Sequence, residues 1–160
     1  MGTLTKNFNW TEICTDNLNT VPYDYKQNMK KLVNEILQPA RDLLAKPINI
    51  TSGYRSAEHN KAVGGASNSQ HIYGNAVDIY VSGSTGLELF DFFVKNFGKK
   101  LGGIGLYYDE NTKDSFIHID IRPRINNSIT SWYQDVNGAY VSPNKKQIEI
   151  FKKYSCPWVG

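Results

Sequence analysis

The chain has 160 residues, enough for one domain, and its 40% hydrophobic and 21% charged residues are those of a chain that builds a core, which excludes a disordered class. Eighteen Lys and Arg against fifteen Asp and Glu leave a formal charge of +3, too small and too scattered to indicate a nucleic-acid partner. No run approaches the roughly 18 apolar residues that a membrane span needs.

The first residues, Met1 to Lys6, lack the apolar stretch of a secretory signal, and Lys6 breaks the myristoylation pattern. The expectation is a protein made in the cytoplasm that meets its target after release. Two cysteines, Cys14 and Cys156, exclude a disulfide-rich scaffold and a four-cysteine zinc site, and two free thiols are expected.

In chain order, Asn7 to Pro22 reads as an extended lead-in with a short helical turn at Trp10–Ile13. Tyr23 to Ala45 carries Met29, Leu32, Val33, Ile36, Leu37, Ala40, Leu43 and Leu44 at spacings of three and four, which predicts one amphipathic helix. Pro39 inside it predicts a kink or a split. The β-branched alternation of Ile48–Ser52 predicts a strand, Gly53-Tyr54-Arg55 a turn, and Ser56 the N-cap of a short helix, 57–63. Gly64 to Ser69 reads as a flexible loop.

Residues 75–82 predict a strand with Val77, Ile79 and Val81 on one face and Ala76, Asp78 and Tyr80 on the other. Residues 86–97 predict an amphipathic helix capped by Ser84 or Thr85 and ended by Gly98. Residues 102–108 and 116–121 predict a strand pair across the polar turn 109–114, with Phe116, His118 and Asp120 opposite Ile117, Ile119 and Ile121. Pro143 after Ser142 predicts the start of a last helix, 144–154. Helices around a small, mostly antiparallel sheet make an α+β fold, expected as one domain over 1–160.

Three histidines are present: His59, His71 and His118. Taken singly, a strand histidine is usually a hydrogen-bonded core or surface residue, and a strand Asp can guard a sheet edge. Asp78, however, projects from an otherwise apolar strand, where a carboxylate is costly unless paired or bound to a cation. His71 leaves the Gly/Ser/Asn loop seven residues earlier, and His118 occupies a comparable strand position. Two imidazoles and a carboxylate, with a fourth position left to water, describe a catalytic zinc site, although such donors accept other divalent ions too.

Ser69-Gln70-His71-Ile72-Tyr73-Gly74-Asn75-Ala76-Val77-Asp78 fits the pattern S-x-H-x-x-G-x-A-x-D. Ile50-Thr51-Ser52-Gly53-Tyr54-Arg55-Ser56 precedes it and Phe116-Ile117-His118-Ile119-Asp120 follows. Together these segments resemble the D-alanyl-D-alanine carboxypeptidase family of zinc peptidases, in the branch found in bacterial cell-wall enzymes and phage endolysins. The resemblance spans about residues 7–122 and leaves 123–160 as a C-terminal extension packing on the core. It implies a hedgehog/DD-peptidase-like zinc peptidase fold, with His71, Asp78 and His118 as Zn²⁺ ligands. Arg55 would bind a substrate carboxylate or orient the scissile carbonyl; its plain alternative is a surface ion pair. Ser69 would support the substrate site through a hydrogen bond, and His59 would be structural.

The general base departs from the family pattern. Relatives carry a Glu or Asp three residues before the last histidine ligand, or a histidine two before it; here those positions are Ser115 and Phe116. Asp120 and Asp114 are the named candidates, beside no base at all or one elsewhere in the chain, and Asp120 has a second possible role, orienting a ligand or Arg122. The resemblance implies a monomeric zinc peptidase, with the stem peptide of peptidoglycan as partner and the cell wall or periplasm as its place of action. The cut is either the L-Ala–D-Glu bond of an endopeptidase or the terminal D-Ala–D-Ala bond of a carboxypeptidase, with a lytic endolysin as the expected role. The alternative is a non-catalytic, zinc-stabilised module in a phage particle or a wall-binding protein. The aromatic residues Trp132, Tyr133, Tyr140 and Trp158 are expected to cover the core rather than to touch sugar rings.

Overall fold

The computed structural model describes residues 2–108, 115–135 and 149. The turn 109–114, Cys156, Tyr140, Trp158 and all but one residue of the expected helix 144–154 lie outside the described residues. The fold is α+β, with a five-stranded, mostly antiparallel sheet. The chain divides into two compact units, residues 1–78 and 79–160.

The first unit opens with the short helix α1, Trp10–Ile13, whose entry is fixed by the Asn9 N–H donating to Glu12 Oε2 at 2.7 Å. A single 3₁₀ turn, Leu18–Thr20, follows. Then come α2, Tyr23–Leu32, a π-helical segment, Val33–Leu37, and α3, Gln38–Leu44. The helix therefore runs on through Pro39 instead of splitting there. Proline lacks an N–H and its ring crowds the preceding turn. The wide π turn ahead of it, closed by the Gln38 N–H on the Val33 carbonyl, absorbs the fault without a break.

Met29, Leu32, Val33, Ile36, Leu37 and Ala40 are all buried, as the spacing predicts. Leu43, expected on the same stripe, is exposed: the helix ends one residue past Leu44, at left-handed Ala45, and its last turn overhangs the core. Strand β1 is Asn49–Ser52, α4 is Ala57–Ala62, and a 3₁₀ turn, Gln70–Tyr73, leads into β2, Ala76–Tyr80. Gly74 between them has φ +71°, and a Cβ there would overlap the Tyr25 carbonyl, so the bend needs glycine.

The second unit begins within β2. Helix α5, Gly86–Phe97, is started by a reciprocal cap: the Glu88 N–H donates to Thr85 Oγ1 at 3.1 Å, and the Thr85 N–H donates to Glu88 Oε2 at 3.4 Å. Leu89, Phe90, Phe93, Val94 and Phe97 form its buried face. Strands β3, Gly103–Tyr108, and β4, Ser115–Asp120, pair antiparallel, with Gly103 opposite Asp120, Gly105 opposite His118 and Tyr107 opposite Phe116. Ile104, Leu106, Ile117 and Ile119 fill the core side.

A fifth strand, β5, Thr130–Asp135, was not expected from the sequence. It pairs parallel to β3 and places Trp132 beside Gly105. Trp132 and Tyr133 are both buried, in line with a covering role. The strand order across the sheet is β1-β2-β4-β3-β5.

Candidate metal centre

His71 stands on the 3₁₀ turn between a polar loop and β2. The turn is capped by Ser69, whose Oγ accepts from the His71 N–H at 3.3 Å. Ser69 thus supports the backbone that carries the histidine. The imidazole itself is buried, and its Nδ1 lies 2.7 Å from the Gly53 carbonyl. A carbonyl only accepts, so Nδ1 carries the proton and the neutral ring presents the lone pair of Nε2. That atom faces Asp78 Oδ1 at 3.3 Å. A nitrogen lone pair and a carboxylate oxygen repel at this distance unless a proton or a cation lies between them.

The other Asp78 oxygen, Oδ2, is 3.6 Å from Arg55 Nη2. Arg55 is not an ordinary surface ion pair, because its side chain is only 17% exposed. Its Nε donates to Ser52 Oγ at 3.0 Å, its Nη1 to Asn60 Oδ1 at 3.2 Å, and its backbone N–H to the His71 carbonyl at 3.1 Å. The SGYR segment is thereby built into the support of His71 and Asp78. Behind it, Asp16 Oδ2 accepts the Ser56 N–H at 2.8 Å, and Asp16 Oδ1 lies 3.1 Å from His59 Nδ1. His59 therefore joins helix to lead-in and takes no place among the candidate ligands.

His118, in the middle of β4, is held differently. Its Nε2 lies 2.7 Å from Asp120 Oδ2, and both residues are buried. The carboxylate accepts, so Nε2 carries the proton and the neutral ring keeps Nδ1 as its acceptor atom. Arg122 grips the same carboxylate with its backbone N–H at 3.1 Å, its Nε at 2.9 Å to both oxygens and its Nη2 at 2.6 Å. Burial alone pushes the Asp120 carboxyl up; the hydrogen bonds from His118 and Arg122, with the charge of Arg122, outweigh it and hold the group below the usual carboxylate range. Asp120 is fully enclosed, with both oxygens engaged. Its geometry is that of a group orienting an imidazole, not of a base open to a water.

The two positions where the family carries its base are occupied by other tasks. Ser115 Oγ accepts the Gly86 N–H at 2.6 Å and so helps to start α5. Phe116 stacks on Tyr107 with ring centres 4.7 Å apart and planes within 4° of parallel. Asp114 lies outside the described residues.

Among the described residues, His71, Asp78 and His118 form one set whose ligand atoms all lie within 4.8 Å of one another. Two imidazoles and a carboxylate, each imidazole with its second nitrogen already tied by a hydrogen bond, are the donor chemistry of a catalytic zinc centre. The residues present therefore fit the ion. The sequence pattern singled out all three members of this set and offered Asp120 as one that orients a ligand. It did not show what orients His71, because the Gly53 carbonyl belongs to the backbone.

A model of the peptidase M15 family matches residues 6–120. The chain belongs to that family, in agreement with the resemblance read from its motifs. It is 56% identical over 34 residues, 21% of this chain and 13% of the relative, to a protein of Streptomyces albus G named zinc D-Ala-D-Ala carboxypeptidase. It is also 30% identical over 111 residues to a protein of Escherichia coli K12 named peptidoglycan L,D-endopeptidase MepK, which covers 62% of this chain and 57% of the relative. The chain thus spans little more than half, or much less, of the length of the curated relatives it matches.

Proposed function

We propose that the chain is a zinc-dependent peptidase that hydrolyses an amide bond in the stem peptide of peptidoglycan. The observation that carries the proposal is the convergence of His71, Asp78 and His118 within 4.8 Å, with each ring's far nitrogen already committed. The printed activities of the relatives supply the substrate class. An endopeptidase is favoured over a carboxypeptidase, because the likeness to the L,D-endopeptidase extends over 111 residues and that to the carboxypeptidase over 34. Action at the cell wall or in the periplasm follows from the substrate. A lytic role of endolysin type is the finer reading, supported by the branch that the motifs resemble.

In this mechanism His71, Asp78 and His118 hold the ion. Bound zinc supplies a Lewis acid for the scissile carbonyl and brings the pKa of a water toward about 7. Arg55 fixes Asp78 and places positive charge beside it, where an oxyanion or a substrate carboxylate is stabilised. Asp120 and Arg122 commit Nε2 of His118, so that Nδ1 is the nitrogen that would ligate. With Asp120 enclosed, the proton-accepting role falls to Asp114, the other carboxylate that the sequence singles out.

The test is release of free amines from purified peptidoglycan, with and without chelator. Wild type is expected to release amines, chelator to stop it and His118→Ala to abolish it. Asp114→Asn is expected to lower kcat by roughly a hundredfold or more while keeping the metal. Mass spectrometry of the fragments names the bond. Metal-loaded protein that sediments with several wall types but releases no amine would overturn the peptidase and leave a zinc-stabilised binding module.

A further inference from the structure

One group beside His118 has no part in the mechanism above. Trp132 lies on β5, beyond the segment that the family model matches. Its ring centre is 5.1 Å from that of His118, at an interplanar angle of 51°. The Arg122 guanidinium lies over the same indole, 5.1 Å from the ring centre. The indole Nε1–H donates to the Tyr107 hydroxyl at 3.0 Å. Trp132 is thus fixed at its polar edge by β3, meets the ligand histidine on β4, and meets the arginine that grips the ligand's carboxylate partner.

The opposite strand is shaped to admit it. Gly105 is the register partner of both His118 and Trp132, and a Cβ there would overlap the indole. Gly103, one step along on the same face, would overlap Asp120 and Arg122 in the same way. A buried indole N–H needs an acceptor in any core, but ordinary packing needs no vacated strand face. Here the vacated face seats the indole against His118, the donor of the buried hydrogen bond to Asp120. Water kept away from that bond strengthens it, since the local dielectric falls. Packing against the imidazole restricts rotation about its side-chain torsions.

We propose that Trp132 is a positioning residue of the metal centre: with Tyr107 as its anchor and Gly105 as its seat, it locks the His118 ring in the ligating orientation. The inference rests on the metal-centre reading above. It extends the support of His118 from the carboxylate to an aromatic strand.

The experiment measures Co²⁺ and Zn²⁺ binding by the full chain, with affinity from chelator competition, the rate of chelator-driven release, and the visible Co²⁺ spectrum. Trp132→Ala is expected to weaken the affinity by about 10- to 100-fold, the effect of removing other groups that support a ligand. It is also expected to speed release and alter the Co²⁺ spectrum. Trp132→Phe keeps an aromatic ring on the imidazole but loses the anchor on Tyr107, and is expected to fall between wild type and Trp132→Ala in affinity and release rate. A folded Trp132→Ala with wild-type affinity and spectrum would overturn the proposal. Should that variant not fold, Tyr107→Phe decides: it removes only the hydroxyl that anchors the indole, so faster release supports the proposal and an unchanged rate overturns it. Wild type that takes up neither ion would sink the metal-centre reading itself, a failure distinct from a wild type that binds while its variants behave alike.

Discussion

His71 and His118, two of the three proposed ligands, are oriented by opposite means. His71 stands on a 3₁₀ turn and is oriented by the neutral backbone carbonyl of Gly53. His118 stands in a strand, packs against Trp132 and is oriented by a buried carboxylate that Arg122 grips. A backbone partner is not removed by changing a side chain, so the first device depends on the path of the SGYR turn. The second depends on three side chains, each of which a single substitution deletes. The charged device also makes its imidazole the more electron-rich ligand, because hydrogen bonding to a carboxylate raises ligand basicity more than bonding to an amide.

The comparison is tested most sharply by Asp120→Asn. It keeps the shape, removes the charge and leaves Arg122 without its partner. Metal affinity is expected to fall by about 10- to 100-fold. Equal affinity in a chelator titration would show that the carboxylate adds nothing beyond what a backbone carbonyl provides to His71.

Gly53→Ala addresses the other device. A Cβ at Gly53 would overlap the Ile13 carbonyl, which accepts the Tyr54 N–H at 2.7 Å. The turn has to shift, at about 1–3 kcal/mol of stability, and the Gly53 carbonyl shifts with it. Chemical denaturation with and without zinc reads both effects. A loss of stability with unchanged zinc affinity would break the link drawn here between that turn and His71.

The smallest effect is expected for Asp16→Ala, which removes the acceptor of the Ser56 N–H and the partner of His59. Both bonds are half-exposed, so roughly 1 kcal/mol is expected, with metal affinity nearly unchanged. A large fall in affinity would show that the lead-in controls the ligand turn directly.

What was legible in the sequence follows the same division. The candidate ligands were legible through the motif S-x-H-x-x-G-x-A-x-D and the later His118, because Asp78 and His118 each keep the strand alternation and either alone reads as an ordinary polar-face residue. Among the described residues the helices were legible from their spacing, apart from the π segment, which answers Pro39 through backbone geometry alone. Strand β5 was not legible. Ile129, Trp132 and Tyr133 are all buried, and two adjacent buried aromatics erase the two-residue period. Its partner β3 lies some 25 residues earlier and pairs parallel, which no local turn signal announces. The two roles left open for Asp120 were separated only by counting what occupies its oxygens.

The bare face of β3 carries a consequence for how such a chain drifts over evolutionary time. Gly103 and Gly105 have no side chain to offer an ion, yet every other amino acid brings a Cβ into space already held by Asp120 and Arg122 or by the indole. Sequence change at Gly105 is closed unless the indole retreats first, and at Gly103 unless Asp120 and Arg122 move. Loss of β5 would release Gly105 and leave Gly103 as constrained as before. Gly105 and Trp132 thus bind each other's substitutions although they lie far apart in the chain.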